Sequence, residues 1–264
     1  MELENIIYPG FNKTLSELNA LSKVKKKSCE IVDLTEIEWV RDVLRHRVEE
    51  IGSYDIKFRK PTEEEIQTVS KIVGADIDMD ELKNNFHKNK RIIGITSGKG
   101  GVGKSTITSL LGIAFDELGK KVGIMDSDIW GYSVPKILGA KFPPIPFNER
   151  IFPSRINNLN VISMDYFVKQ DEAVIWRGPM LHKAIEQFLF EVLWHDIDIL
   201  LIDMPPGTGD VSISLSQFLK YFENIVVTTP QTNATIVAER SGICLLYTSP
   251  SPRDVEESRM PSSA

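Results

Sequence analysis

At 264 residues, with 42% hydrophobic and 26% charged side chains, the chain has the balance of one large or two modest globular domains. A net charge of −6 argues against a general nucleic-acid or membrane-surface role, so neither partner is expected. Two cysteines make no disulfide framework or metal-spaced cluster, and no apolar run approaches the length of a membrane span. The acidic start, Met1-Glu2-Leu3-Glu4-Asn5, is no secretory or transit signal, so the expected location is the cytoplasm.

Residues 1–60 read as a small α+β domain. Thr35 and Glu38 have capping-box spacing and would open a helix with the apolar stripe Ile37, Val40, Val43, Leu44, Val48 and Ile51. Strands are expected on either side, near 30–34 and 54–58. Cys29 stands alone and reads as a structural thiol. Residues 61–90 read as a charged linker with short helices: Ile66, Val69, Ile72 and Val73 form one stripe, stopped by Gly74, and Met79, Leu82 and Phe86 form another. The four histidines (His46, His87, His182 and His195) lack ligand spacing and read as surface or packing residues.

From Arg91 the pattern alternates strand and helix, which predicts a mostly parallel sheet flanked by helices over 91–243. The apolar run Arg91–Thr96 breaks into Gly98-Lys99-Gly100-Gly101-Val102-Gly103-Lys104-Ser105-Thr106, and helical periodicity follows at Ile107, Leu110, Leu111, Ala114 and Leu118. This is the phosphate-loop pattern in its strand-turn-helix setting. Glycines free backbone N–H groups to converge on phosphate oxygens, and the helix N-terminus adds the positive end of its dipole. Lys104 is expected on the β/γ-phosphates, Ser105 on Mg²⁺ and Thr106 on the α-phosphate. The alternative, a glycine turn with a solvated lysine, does not account for the flanking strand and helix.

The next strand, 121–125, delivers Asp126 and Asp128 to the carboxyl edge of the sheet, where such sheets bind ligands. Asp126 is expected to face the water shell of the metal. Asp128 is expected to polarise the attacking water as a general base. Residues 139–155, rich in proline, read as an irregular surface excursion; 159–163 and 173–175 are candidate strands. Pro179 opens a helix with Met180, Ala184, Ile185, Phe188, Leu189 and Val192 inward. The strand 197–203 ends in Asp203, a Walker-B carboxylate for Mg²⁺, and Gly207 beyond it can bring a backbone N–H to a γ-phosphate. A strand at 224–229 and a helix from 234 to 243 close the pattern.

Lys99, directly after the first glycine, makes the loop similar to the deviant phosphate loop of the ParA/MinD/nitrogenase-iron-protein group. That resemblance implies a dimer in which Lys99 reaches the partner's phosphates. Gly98–Thr106, Met125–Pro135, Trp176-Arg177-Gly178-Pro179-Met180 and Ile202–Asp210 together resemble the Mrp/ApbC group of iron–sulfur cluster carrier ATPases. The first sixty residues resemble a shortened form of the small domain that precedes the ATPase there. The resemblance implies an α/β P-loop NTPase preceded by a small α+β domain, a homodimer, and ATP hydrolysis with Mg²⁺. It also implies delivery of a [4Fe–4S] cluster to apo iron–sulfur proteins. The residues themselves leave the base of the nucleotide open and assign no role to Arg177. A spatial or partitioning ATPase of the MinD/ParA type, with no metal cluster, is the alternative.

The group holds its cluster with a Cys-x-x-Cys pair, and this chain has none, so it supplies no iron–sulfur ligands. Residues 244–264 explain the gap. Cys244–Asp254 reads as the translation of a transposase-type sequencing-library adapter, and Ser258–Ala264 as its continuation. The tail is therefore expected to be non-native, with the natural protein continuing past Ile243.

Overall fold

The computed structural model describes residues 2–25, 28–88, 90–129, 131–167, 178–194, 196–207, 209–219, 222–231, 234–240 and 242. Trp130, the 173–175 strand, Trp176, Arg177, His195 and the 244–264 tail lie outside the described residues. The chain divides into two compact units, one of residues 1–79 with 144–153 and one of 80–143 with 154–264.

The first unit begins with two short paired strands, β1 (Ile7–Tyr8) and β2 (Lys13–Thr14). Strands β3 (Leu21–Lys25) and β4 (Ser28–Val32) follow, then helix α1 (Glu38–Glu49) and strand β5 (Asp55–Arg59). The sheet runs β3-β4-β5, antiparallel then parallel, with α1 as the crossover and its Val40, Leu44 and Val48 fully buried. Cys29 on β4 is buried, and burial first, then the Asp55 charge, pushes its thiol upward.

The expected capping box at Thr35 and Glu38 does not form. Glu36 takes a left-handed φ of 56°, which moves the helix start on, so the N-cap is Ile37, without a side-chain cap. Asp33 instead accepts from the Glu36 N–H (3.0 Å), and Glu38 pairs with Arg41 and Arg45. The real box lies one helix later. In α2 (Glu63–Val73) the Glu65 N–H donates to Thr62 Oγ1 (3.2 Å) and the Thr62 N–H to Glu65 Oε2 (2.9 Å). Gly74 ends α2 in the left-handed conformation, as the sequence predicts.

Two observations extend this unit beyond the 1–60 boundary read from the sequence. Arg59 and Glu65 form an ion pair that ties α2 to β5. The proline-rich excursion also returns here as a hairpin, Ile145–Phe147 with Arg150–Phe152. Its Phe147 and Phe152 rings lie 5.1 and 4.3 Å from Phe11, itself 5.1 Å from the buried Tyr8. Each buried ring contributes roughly 2 kcal/mol, which makes this cluster a real anchor. Arg150 is buried and donates to the carbonyls of Ala75 and Ile77 beyond α2. Prolines marked the segment as irregular, and its aromatic residues decided where it packs.

The Arg59 partnership holds the Glu65 carboxyl down to about 2, helped by the Thr62 N–H. A depressed acid stabilises the fold above its ordinary value near 4.5 and loses that contribution as the pH falls towards 2. Glu65→Gln is therefore expected to melt earlier than the unsubstituted chain at neutral pH. The gap should close progressively between about pH 4.5 and 2. A gap independent of pH over that range, measured by thermal melts, would exclude the ion pair as its source.

The second unit carries α3 (residues 80–85 of Met79–Asn85), β6 (Arg91–Ser97), α4 (Lys104–Glu117), β7 (Val122–Asp126) and α5 (Val134–Leu138). With the hairpin strands counted as β8 and β9, it continues with β10 (Ser154–Ile156), β11 (Leu159–Ser163), α6 (Gly178–Phe190), β12 (Ile199–Asp203), α7 (Asp210–Phe218) and β13 (Glu223–Val227). A further helical segment occupies 234–240. The sheet order is β10-β11-β7-β12-β6-β13, parallel except for β10. This is the α/β architecture that the alternating pattern predicts. β6, β7 and β12 are buried along almost their whole length, as a parallel sheet covered on both faces requires.

Helix α4 departs from its expected stripe. Ile107, Leu110, Ala114 and Leu118 are exposed, while Lys104, Thr108, Ser109 and Gly112 face the sheet. A Cβ on Gly112 would sit 2.6 Å from Ile124 Cδ1, so glycine lets the helix lie close to β7 without displacing that side-chain end. The small polar face has a purpose: it brings the hydroxyls at the start of α4 to the end of β12.

Candidate functional site

Parallel register sets the geometry. Asp203 ends β12 beside Asp126 of β7 and Ile95 of β6, so the carboxylates and the glycine loop leave the sheet at one edge. A cavity of about 480 Å³ opens there, lined by Gly100, Gly101, Gly103, Lys104, Ser105 and Thr106 of the loop, with Asp128 and Pro205 among the facing residues. Gly101 and Gly103 have φ of 76° and 89°, which other residues adopt only under strain. Gly98 is needed for another reason. A Cβ there would lie 2.8 Å from the backbone of Val237 and Ala238, so the 234–240 helix packs directly against the loop.

Three charged groups meet here: Lys104 and Asp128 line the cavity, and Asp203 lies buried beneath it. Lys104 Nζ lies 2.8 Å from Asp203 Oδ2 and 3.6 Å from Asp128 Oδ2, and all three side chains are at least nine-tenths buried. Ser105 Oγ donates to Asp203 Oδ2 (2.6 Å), and Thr108 Oγ1 lies 2.8 Å from Asp203 Oδ1. A buried lysine between two carboxylates is a cation held ready for a stronger anion. Triphosphate oxygens reached by Lys104 would release both carboxylates.

Asp126 is expected from the sequence at the metal's water shell. Like Asp203, it is fully buried and outside the cavity lining. Its carboxylate accepts from the N–H groups of Asp128 (3.3 Å), Ser133 (3.1 Å) and Val134 (3.2 Å) and from Ser163 Oγ (3.1 Å). Burial first, then the neighbouring Asp203 charge, pushes its carboxyl up to about 7. Asp126 therefore holds the loop that carries Asp128. Asp128 accepts in turn from the Gly131 N–H (3.0 Å) and turns its other oxygen to the cavity floor.

Two further loop residues also point elsewhere. The Gly207 N–H, expected at a γ-phosphate, donates to the Ser97 carbonyl (2.8 Å). Lys99 is exposed, lies outside the lining, and donates to Gln231 Oε1 (3.1 Å) beyond β13. Gly98 and Val102 also lie outside the lining. The structure thus gathers Gly100, Gly101, Gly103, Lys104, Ser105, Thr106, Asp128 and Asp203, and turns Asp126, Gly207 and Lys99 to other partners.

Three contributors were missed from the sequence. Ser127 binds the Asp203 carbonyl through both its N–H (2.9 Å) and its hydroxyl (2.8 Å). Thr108 lies three residues after Ser105, one turn along the same helix face, and that spacing could have flagged it. Gln231 follows β13 and had no local signal.

A glycine loop between a buried strand and a helix, with its lysine on a strand-end carboxylate, places this molecule in the class of P-loop nucleotide-binding proteins. The family described as ParA, NUBPL iron-transfer P-loop NTPase, matches residues 88–247. The chain belongs to this family.

Its relatives carry related names. An iron-sulfur cluster carrier protein of Helicobacter pylori is 34% identical over 246 residues, covering 90% of this chain and 66% of that protein. The carrier protein of Bacillus subtilis is 38% identical over 193 residues, 73% of this chain and 54% of its own. That of Mycobacterium leprae is 48% identical over 158 residues, 60% of this chain and 41% of its own. The chain thus spans between about two fifths and two thirds of the length of these curated relatives. Among solved structures, a nucleotide-binding protein of Archaeoglobus fulgidus in complex with ADP is 30% identical, with a TM-score of 0.51. That match covers 66% of this chain and 69% of that one. Among the described residues, no helix is long and apolar enough to cross a membrane.

Proposed function

We propose that this chain is the ATPase portion of an iron–sulfur cluster carrier, hydrolysing ATP with Mg²⁺ and delivering a [4Fe–4S] cluster to apo-proteins as a homodimer. The observation that carries the nucleotide chemistry is Lys104, 2.8 Å from Asp203 and 3.6 Å from Asp128 on the floor of a glycine-lined cavity. Hard oxygen donors suit Mg²⁺, and the Ser105 hydroxyl and Asp203 carboxylate are 2.6 Å apart at the helix start. The donor set fits. Ser105 would hold the ion directly and Asp203 through its water, and the bound ion would neutralise charge developing between the β- and γ-phosphates.

The chain's own residues then divide the work. Lys104 moves from the carboxylates to the phosphates, and Asp128, freed of its ion pair, accepts a proton from the attacking water. Asp126 keeps the Asp128 loop in shape through its four hydrogen bonds. Gly207 exchanges its Ser97 carbonyl for a γ-phosphate oxygen, which makes 203–209 a nucleotide-dependent segment. Lys99 serves the partner subunit's nucleotide, since its side chain already extends outside its own cavity.

The carrier reading rests on the family and on the relatives' names. The cluster is cargo, and its thiolates are not in this sequence: Cys29 is buried alone, and no Cys-x-x-Cys occurs. We read 244–264 as adapter-derived and 91–243 as the incomplete ATPase domain. Sequencing the source gene across codon 243 tests this. A continuing frame with a Cys-x-x-Cys shortly downstream is the expected result. A genuine stop after Ala264 would overturn the cluster cargo and leave a nucleotide switch without it.

A further inference from the structure

We propose that Thr108, a residue outside the phosphate-loop motif, is a positioning residue that sets the Mg²⁺ affinity of the site by holding the Asp203 carboxylate in one rotation. The proposal rests on the magnesium reading above, and deepens it.

Asp203 has a fixed backbone and a side chain that could turn. Its carbonyl is pinned by two bonds from Ser127, and its neighbours on both sides are central strands. The terminal torsion of a carboxylate is broad, so the backbone alone does not orient the two oxygens. Side-chain partners must do so. Oδ2 receives Ser105 Oγ (2.6 Å) and Lys104 Nζ (2.8 Å), both of which are needed elsewhere when nucleotide and metal arrive. Oδ1 receives Thr108 Oγ1 (2.8 Å), which has no other task in the site.

The Thr108 hydroxyl has one proton and two acceptors within reach, Asp203 Oδ1 at 2.8 Å and its own helix carbonyl, Lys104 O, at 3.1 Å. A carboxylate outcompetes a carbonyl already engaged in a helix, because the charge-assisted bond is roughly twice as strong. Thr108 and Asp203 are both wholly buried, so no water replaces this bond if it is lost. Ser105 and Thr108, three residues apart on one face of α4, thus grip opposite oxygens of one carboxylate. When Lys104 leaves for the phosphates, the Thr108 bond is the one that stays, and it keeps Oδ2 directed at the metal side. The same need explains why α4 turns a polar face to the sheet and leaves Ile107 and Leu110 exposed.

The test separates the hydroxyl from the volume of the side chain. Thr108→Val keeps the shape and deletes the donor, and Thr108→Ser keeps the donor. Dissociation of a fluorescent ADP analogue is measured across a Mg²⁺ titration, with thermal melts run alongside. Thr108→Val should raise the Mg²⁺ needed for half-maximal tightening about tenfold, as loss of an outer-shell partner of a metal ligand does. Affinity without Mg²⁺ should not change, and Thr108→Ser should stay close to the unsubstituted chain. If the valine chain fails to fold, Thr108→Ala carries the same expectation. An unchanged Mg²⁺ midpoint in Thr108→Val, an equal loss of metal-free affinity, or a serine variant as weak as valine would overturn the proposal. The unsubstituted chain is titrated first. ADP binding there that ignores Mg²⁺ would overturn the magnesium reading itself, and the Thr108 role with it.

Discussion

Lys104→Ala is expected to abolish ATP hydrolysis in the full-length protein, with turnover falling by a factor of about a hundred to a thousand. The same change should be visible before any nucleotide is added. Lys104 is 6% exposed and is the cation that both Asp128 and Asp203 face. Its removal leaves two buried carboxylates without their shared cation, at a cost of about 3 kcal/mol or more. The variant should therefore melt earlier than the unsubstituted chain in the absence of nucleotide. Adding MgADP should recover little of the difference, because the phosphates have lost their cation. Calorimetric melts with and without MgADP, together with phosphate release, measure both effects. Unchanged turnover would sink the assignment of this loop. Unchanged stability would mean that the carboxylates are not held by the lysine in the free protein.

Lys99→Ala should behave in the opposite way. Lys99 is exposed and lies outside the cavity lining, with its ammonium on Gln231. An exposed hydrogen bond of this kind contributes little to stability. Melting temperature and ADP affinity are therefore expected to stay near those of the unsubstituted chain. Hydrolysis by the full-length protein should fall by about a thousandfold, the scale on which a cation supplied in trans acts in phosphoryl transfer. Turnover per chain should also rise with protein concentration in the unsubstituted protein and stay flat in the variant. Loss of ADP affinity would show the lysine acting within its own cavity, and full turnover would remove it from the chemistry.

Much of this was legible in the residue order because it is local. The glycine spacing from Gly98 to Gly103, followed by Lys104 and Ser105, encodes a loop conformation that needs no distant partner, and Gly101 and Gly103 take the left-handed φ it calls for. The apolar runs ending in Asp126 and Asp203 are buried parallel strands, and strand register alone brings those two carboxylates side by side. Fold class and the core of the site follow from such short-range facts. The expected capping box at Thr35 illustrates the limit, since one left-handed residue, Glu36, was enough to move the helix start.

What the order of residues could not determine is where each side chain turns once its neighbours arrive. Periodicity marks Ile107 and Leu110 as part of the apolar stripe of α4, yet the helix turns Thr108 and Gly112 inward, where Thr108 reaches Asp203 and the glycine packs closely on Ile124. Asp126 and Asp128 differ by two positions and look equivalent in sequence. Four donors from 128–163 draw Asp126 into its own loop and leave Asp128 to the cavity. The excursion at 144–153 reads as surface, and Phe11 draws it into the first unit. By itself the sequence determined a P-loop α/β protein with Lys104, Ser105 and Asp203 at its centre. Only the tertiary structure decided which carboxylate lines the cavity and which side chains hold Asp203, because partners far apart in the chain compete for each polar atom.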